Sequence, residues 1–564
     1  MLLPIPNYVK KLWYAWNLRS CILLSLCLQT ILVLFAFLRK RTRSKLLHGL
    51  IWFAYLLADW IAPVAIGLIS QSEGVGCEAK GKKDLMAFWA SFLLLHLGGP
   101  DTITSFALED NEFWLRHLAG LIFQVLATAY IFYQSLPNKV CVPAIMVFLV
   151  GTIKYVERTR ALFLASMNQF GCSVLPKPDP GPDYEEVLKM HSSNTLEQVE
   201  TSLEVENPKR SNSIHKTLTF AIDSESEGEK KPLDDMKLLQ EAYLLFDKFK
   251  GLIVGLLFSS KEREWSREFF LTISSADEAF RVIEWELNFM YEYLHTKVGV
   301  VRCPFGYFLR FISFTLTLGA LGFFSIEDQH KFHHVSKFDI ILTYVLLGGA
   351  LGLESISILL LILSDRTLLA VNNSWTKLIE KNFLKRRRWS KSVSQYDMIS
   401  YCLNDPPTFV YRLAGYAGAG VVVEKMTILR FSYSETVYED LEEFIFEELR
   451  SKAKNASTIS AARDASSQRG DWALLQTSPL AHGYCKLKWS IGEYQYAESL
   501  LIWHMATELL YIEDTKSTGN DSDRETCKLL SDYMFYLLVM KPQMMAPVLG
   551  NWRIVFQDTC AEAK

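Results

Sequence analysis

Ten cysteines are scattered along the chain and no two of them form a C-x-x-C pair, which removes a zinc knuckle and a disulfide framework from consideration. Cys21, Cys27 and Cys141 fall in apolar runs, where a reduced buried thiol behaves as a small hydrophobe. Net charge of one sign is lacking too: 59 Lys and Arg stand against 62 Asp and Glu, leaving −3. That balance excludes nucleic-acid binding by bulk electrostatics. Neither H-E-x-x-H nor G-x-S-x-G occurs. Gly415, Gly418 and Gly420 miss the third glycine of G-x-G-x-x-G, and no Lys-Ser or Lys-Thr pair follows them, so no phosphate loop is built there. No cofactor and no catalytic constellation is expected, and the residues lean away from an enzyme. A cleavable leader is not expected either, because the first apolar run ends in a basic cluster without a small-residue cleavage site.

What the chain does have is long apolar stretches. Half of its 564 residues are hydrophobic and the mean hydropathy is +0.12, too apolar for an ordinary soluble protein and too polar for one wholly in lipid. Position along the chain resolves the mixture. Cys21–Leu38 is nearly uninterrupted and close to the ~20 residues that cross a bilayer. Leu46–Ser70 is a second span with Asp59 inside it. Leu85–Leu97 is shorter, either a third span or a re-entrant piece. Leu118–Leu136 and Val140–Ile153 follow, the latter ending at Lys154, Glu157, Arg158 and Arg160. Phe305–Phe324 and Ile340–Leu363 complete a preferred count of seven. Gly348 and Gly352, four apart in the last span, permit close helix packing.

The fold class is therefore all-α: a polytopic helical membrane protein of about seven spans with a soluble helical C-terminal domain. Residues 1–170 form a membrane domain of five spans, 171–233 a linker, 234–304 cytosolic helices, 305–363 two further spans and 364–564 a cytosolic helical domain. The linker is rich in Pro, Ser, Glu and Lys with few aromatics, so it cannot bury a core and is expected to be disordered. Ser213, Ser224 and Ser226 there lie in stretches acceptable to a kinase, although a merely solvated linker is the favoured reading. Helical periodicity places Phe280, Ile283, Leu287 and Tyr291 on one face of Ser275–His295, and marks Val437–Ala453, Tyr494–Ile512 and Cys527–Met540 as amphipathic helices.

Seven spans put the loops at 39–45, 98–116, 154–304 and the tail from 364 on one side. That side holds Arg39–Lys45, five positive charges in seven residues, with Lys154, Arg158, Arg160 and Lys385–Arg388, so it is expected to be cytosolic. The sequons at Asn372, Asn455 and Asn520 would then face the cytosol. A re-entrant Leu85–Leu97 would give six spans and reverse the side of the linker, which the charge balance disfavours.

The polar stretch from His96 to His117, HLGGPDTITSFALEDNEFWLRH, lies between apolar segments and gathers His96, Asp101, Glu109, Asp110, Arg116 and His117. Gly98-Gly99-Pro100 breaks the helix before it. With Asp59 and Glu354 inside spans, these residues make a candidate polar membrane site, since ionisable groups at membrane depth mark ion or substrate paths. The bland alternative is a short loop in which Asp101 and Thr102 cap the next helix and Arg116 pairs with Asp110 or Glu112; Asp59 could likewise bond only a neighbouring helix. The bland reading is favoured for the loop. Asp328, His330, His333 and His334 have zinc-like spacing, but a solvated loop is favoured. His504, on an apolar helix, is expected to be a satisfied core residue. Lys385–Arg388 serves as a stop-transfer anchor and would also attract anionic lipid.

The residues resemble a known plant family, the domain-of-unknown-function family 4220, with its companion domain of unknown function 594 at the C-terminus. The resemblance rests on Ala15-Trp16-Asn17 with Arg19, Ala58-Asp59-Trp60, His96-Leu97-Gly98-Gly99-Pro100-Asp101, Glu109-Asp110-Asn111-Glu112, Trp114-Leu115-Arg116-His117, Gly151-Thr152-Ile153-Lys154 through Arg158, and Glu284-Trp285-Glu286-Leu287 before Thr296-Lys297. Leu501-Ile502-Trp503-His504 and Leu530-Ser531-Asp532-Tyr533-Met534 match the companion domain, which would be expected to continue past Thr559. The resemblance spares the 171–233 linker. It implies a plant integral membrane protein and brings no activity with it. Two function classes follow from the residues. One is a membrane-anchored interaction or signalling protein, with the lipid bilayer and protein partners of the C-terminal domain as its contacts. The alternative is a transporter or channel with a path lined by the 96–117 stretch and the intramembrane acids.

Overall fold

A computed structural model describes residues 7–73, 80–174, 235–256, 260–331, 335–370, 386–396, 398–403, 429–456, 459–471, 481–513 and 521–545, with a few isolated positions between them. The expected linker lies outside the described residues from 175 onward, with Ser213, Ser224 and Ser226. So do His333 and His334, the side chain of His330, the three loop glycines at 415, 418 and 420, Lys385, Asn372 and Asn520.

The main helices are α1 (Asn7–Phe35), α2 (Lys45–Glu73), α3 (Lys80–Leu97), α4 (Trp114–Ser135), α5 (Cys141–Ala165), α6 (Asp235–Phe249), α7 (Ser260–Thr272), α8 (Ala276–His295), α9 (Pro304–Lys331) and α10 (Lys337–Ile362). Among the described residues, five helical segments are long and apolar enough to cross a membrane: Trp16–Lys40, Lys45–Gln71, Trp114–Ser135, Pro304–Glu327 and Lys337–Ile362. Their outer faces carry large exposed apolar side chains, among them Trp60, Phe123 and Phe311. So broad an apolar belt is not tolerated by a soluble monomer, and the chain is a membrane protein.

α3 sits in the middle of these helices. Leu85, Ala87, Phe88, Ala90, Phe92, Leu93 and Leu94 are all fully buried, the pattern of a helix apolar on every side. The short run expected either to cross or to re-enter is thus a helix of 18 residues, about 27 Å long at 1.5 Å per residue. α5 lies against it. The sequence places the end of that span at Ile153 with charged anchors beyond; instead the helix runs on to Ala165, and Lys154, Glu157 and Arg158 are buried within the bundle. Both helices run between the same two ends of the bundle as the five apolar ones. At one end Asn138, between α4 and α5, lies beside Asp84 in α3, while at the other Thr102 donates to the carbonyl of Leu32.

Outside the bundle, α6 and α8 pack together through Leu238, Ala242, Phe246, Val282, Trp285 and Phe289, joined by Phe446 from α11 (Glu439–Asn455). The stripe predicted on α8 is turned by one residue: Val282 and Phe289 are buried while Ile283 and Leu287 are exposed, because the bulkier Trp285 and Phe289 take the inner face. A second cluster joins Tyr396, Leu501, Phe535 and Leu538, from α12 (Tyr496–Glu513), α13 (Asp521–Met540) and β1 (Ser392–Tyr396). β1 pairs antiparallel with β2 (Ser432–Thr436), Ser394 opposite Ser434. This pair is the only sheet among the described residues, and it stands in a region read from the sequence as helices alternating with polar loops.

Candidate functional site

Helical spacing builds the site. Lys154, Glu157 and Arg158 stand three and four residues apart, so α5 presents them along one face. Gly98 and Gly151 let α3 and α5 approach closely enough for that face to be reached: a Cβ at Gly98 would fall 2.7 Å from the Lys154 Cβ, and one at Gly151 would fall 2.8 Å from the Leu95 backbone nitrogen. Gly99 adopts a left-handed φ of 63° beside the Arg158 side chain, a conformation that costs a residue with a Cβ and is free for glycine.

Four cations and four carboxylates then close on one another. Arg158 grips Asp59 with both terminal nitrogens, Nη2 to Oδ2 at 2.9 Å, and donates a further bond to the Leu97 carbonyl at 3.1 Å. Lys154 bonds Glu354. Arg310 reaches Glu354 at 3.0 Å, Glu157 at 3.2 Å and Asp101. Lys297 lies 3.8 Å from Asp101 and donates to the carbonyls of Gly99 and Lys154 at 3.0 and 3.3 Å. Formal charge within the group sums to zero. Planar guanidinium forks suit this arrangement, since each can hold two carboxylate oxygens at once. Burial alone would raise the Asp101 carboxyl, but Arg310, with Lys154 and Lys297, holds it well below the usual carboxylate range. Burial lowers the Lys297 ammonium to about 7 against the opposing pull of Asp101 and Glu157.

Of the eight residues singled out in the sequence, Asp59, Asp101 and Glu354 come together in this network. Asp110 does not: its Oδ2 accepts from the amides of Phe106 and Ala107 and from the Tyr55 hydroxyl, tying down the loop before α4. His96 is buried with its Nδ1 2.8 Å from the Ser25 hydroxyl. His117 is buried on the first turns of α4. Glu109 lies on the single helical turn Glu109–Glu112 and takes no part in the network. Two details depart from expectation. Arg116 stands over the Phe113 ring at 5.0 Å rather than pairing with Asp110 or Glu112, and Glu112 accepts instead from the Met167 amide. Asp101 and Thr102 cap no helix, because the first is bound to Arg310 and the second to the Leu32 carbonyl.

None of the network's four cations stands among the candidate site residues read from the sequence, where Lys154 and Arg158 look like anchors at the end of a span. One signal was available: Arg310 lies inside the Phe305–Phe324 run, and an arginine at that depth needs an anion as surely as Asp59 or Glu354 needs a cation. Lys297 stood outside every apolar run and gave no such signal.

His504 lies in the core of the C-terminal region. It is buried, bonded to the Ser531 hydroxyl at 3.0 Å and stacked on Phe535 at 4.4 Å. With Glu508 and Asp532 it offers three ligand atoms within 4.8 Å of one another. The Lys528 ammonium, however, bonds both of those carboxylates and supplies the positive charge a metal would bring.

A bundle of apolar helices closed around a neutralised ion network defines a helical integral membrane protein. More narrowly, the chain belongs to the family described as domain of unknown function (DUF4220), whose profile matches residues 52–402. The match takes in every member of the network, from Asp59 to Glu354. No curated protein and no solved structure matches the chain.

Proposed function

We propose that the protein is a membrane-anchored interaction or signalling protein whose work is done by the helices outside the bundle, on the cytosolic side. The observation that carries this reading is how the charged end of the bundle is used. Lys45, at the start of α2, donates to the carbonyls of Leu429 and Ser432 and to the Ser432 hydroxyl, at 2.9, 2.8 and 3.1 Å, and Arg43 bonds Thr436 at 2.8 Å. The basic cluster between the first two spans thus clamps the strand pair of the C-terminal region. A second tie runs through Glu284 in α8, which accepts from the amides of Arg388 and Trp389. A shift between spans would be transmitted to the C-terminal helices through these contacts.

The closed ion network supports the same reading against a transporter or channel. A carried ion needs a group that can exchange partners, and here each intramembrane carboxylate of the network already has a guanidinium or ammonium on it. The test is flux through the full chain reconstituted in vesicles loaded with pH-, potassium- and chloride-sensitive dyes. Flux is expected to stay at the level of protein-free vesicles. Flux above that level and lost in Glu354→Gln would overturn the proposal and restore the polar path.

A further inference from the structure

At the end of the bundle where the basic cluster lies, a cavity of about 160 Å³ opens between the end of the first span, α8, the segment that follows it and the last turns of α10. Six cations line it: Lys40, Arg41, Lys297, Arg302, Arg386 and Arg388. Only three acids face them, Asp101, Glu292 and Asp365. Two of these are already engaged, Asp365 by the Arg388 guanidinium at 2.6 Å and Asp101 by Arg310. The rest of the wall mixes polar side chains, such as Thr102, Asn288 and Ser357, with an apolar part that includes Phe37, Val301, Leu360 and Leu361.

Glu292 attracts Arg302, but three acids against six cations still leave an excess of positive charge. Lys40 bonds only the neutral Asn288 amide oxygen and lies over the rings of Tyr291 and Trp389. Arg302 bonds the Ser364 hydroxyl, and Arg41 lies over the Phe37 ring. None of the three has an ion-pair partner among the described residues. The cations also act on one another: burial and then Arg386 and Arg388 lower the Arg41 guanidinium to about 10, while burial lowers that of Arg302 against the opposing pull of Glu292. Concentrating like charges in a half-buried space is unfavourable unless an anion joins them.

We propose that this cavity is a binding site for a phosphate group, carried on a lipid headgroup or free in solution. Guanidinium forks match phosphate oxygens in pairs, and the lysines add point charge. The apolar wall argues for the lipid: Leu360 and Leu361 end a segment apolar enough to cross the membrane, so acyl carbons would continue from the cavity along it. The cytosolic leaflet, on which the charge distribution would place this end, is the anionic one.

The experiment uses the full chain purified in an uncharged detergent, with phosphatidylglycerol, phosphatidylcholine and inorganic phosphate as probes. Bound lipid is counted by native mass spectrometry and stabilisation is read from the thermal melt. Wild type should retain one phosphatidylglycerol in preference to phosphatidylcholine and melt higher with it. Arg41→Gln/Arg302→Gln should bind it at least about ten-fold more weakly. Leu360→Trp, which fills the cavity while keeping every cation, should lose it as well and guards against misfolding of the double variant. A melt raised by inorganic phosphate in wild type but not in the variants, with no phosphatidylglycerol effect, supports the site and assigns it a soluble ligand. Equal retention of phosphatidylglycerol by wild type and both variants, or equal retention of the two lipids by wild type, overturns the proposal.

Discussion

Arg158 and Asp59 illustrate how a charge is tolerated inside an apolar bundle. The guanidinium is almost fully buried, while the carboxylate keeps about a quarter of its side-chain surface open, at 29%. Desolvating both groups costs several kcal/mol, and their mutual attraction with the added Leu97 carbonyl bond offsets it. Removing one partner leaves the other buried without a countercharge. Arg158→Met should therefore destabilise the protein by about 3–5 kcal/mol, whereas Arg158→Met combined with Asp59→Leu should recover most of that loss. Unfolding of the purified variants in mixed micelles measures both. A double variant as unstable as the sum of the two single ones would mean that the pair is not acting as a unit.

At the scale of elements, the contact between α3 and α5 sets the positions of the ions. The two helices meet backbone to backbone at Gly98 and Gly151, which leaves no room for a methyl group at either place. Gly151→Ala would drive its Cβ against the Leu95 backbone, which cannot swing away as a side chain can. Such overpacking costs about 1–3 kcal/mol, and the melting temperature of the variant should fall accordingly. Gly348→Ala is the control. Nothing stands within 4 Å of where its Cβ would be, so the melt should hold. The sequence singled out Gly348 and Gly352 for close approach, yet the tight contact on that helix falls at Gly349, whose Cβ would meet Leu26 at 3.0 Å. Small-residue spacing says that helices can come together, and which glycine faces the neighbour depends on helix rotation, set by contacts far away in the chain. The same limit explains α8, where Ile283 and Leu287 share the period of the buried face without being on it. Asp59 and Glu354 could be read as buried acids because each interrupts an apolar run. Lys154 and Arg158 could not, because they stand where such a run ends and look like anchors. Only the packed neighbours of α5 show that its helix carries them inward.

For the whole molecule, the alternation of loops gives a prediction about sides. The turns at 36–44, the stretch 98–113, the segment 296–303 and the end of α10 gather at one end of the bundle: Lys40 meets Asn288, the Lys297 amide donates to the Asp101 carbonyl at 3.3 Å, and Arg302 meets Ser364. The turn around Asn138 is at the other end, beside the start of α3. The basic residues concentrate at the first end, and Lys and Arg flanking spans are retained in the cytosol. The clamp made by Arg43 and Lys45 brings the C-terminal helices to that same end, so they share its compartment. Asn455, exposed at the end of α11, stands in an N-x-S sequon and tests this. On a cytosolic face it should carry no glycan, and glycosidase treatment of the full chain made in a glycosylating host should leave the mass of its peptide unchanged. An acceptor sequon introduced by Lys139→Thr, which makes Asn-x-Thr only if Pro137 is also changed to Asn, should be modified if its turn reaches far enough into the lumen. A glycan on Asn455 would reverse the placement of the C-terminal helices, and with it the leaflet against which the cationic cavity lies.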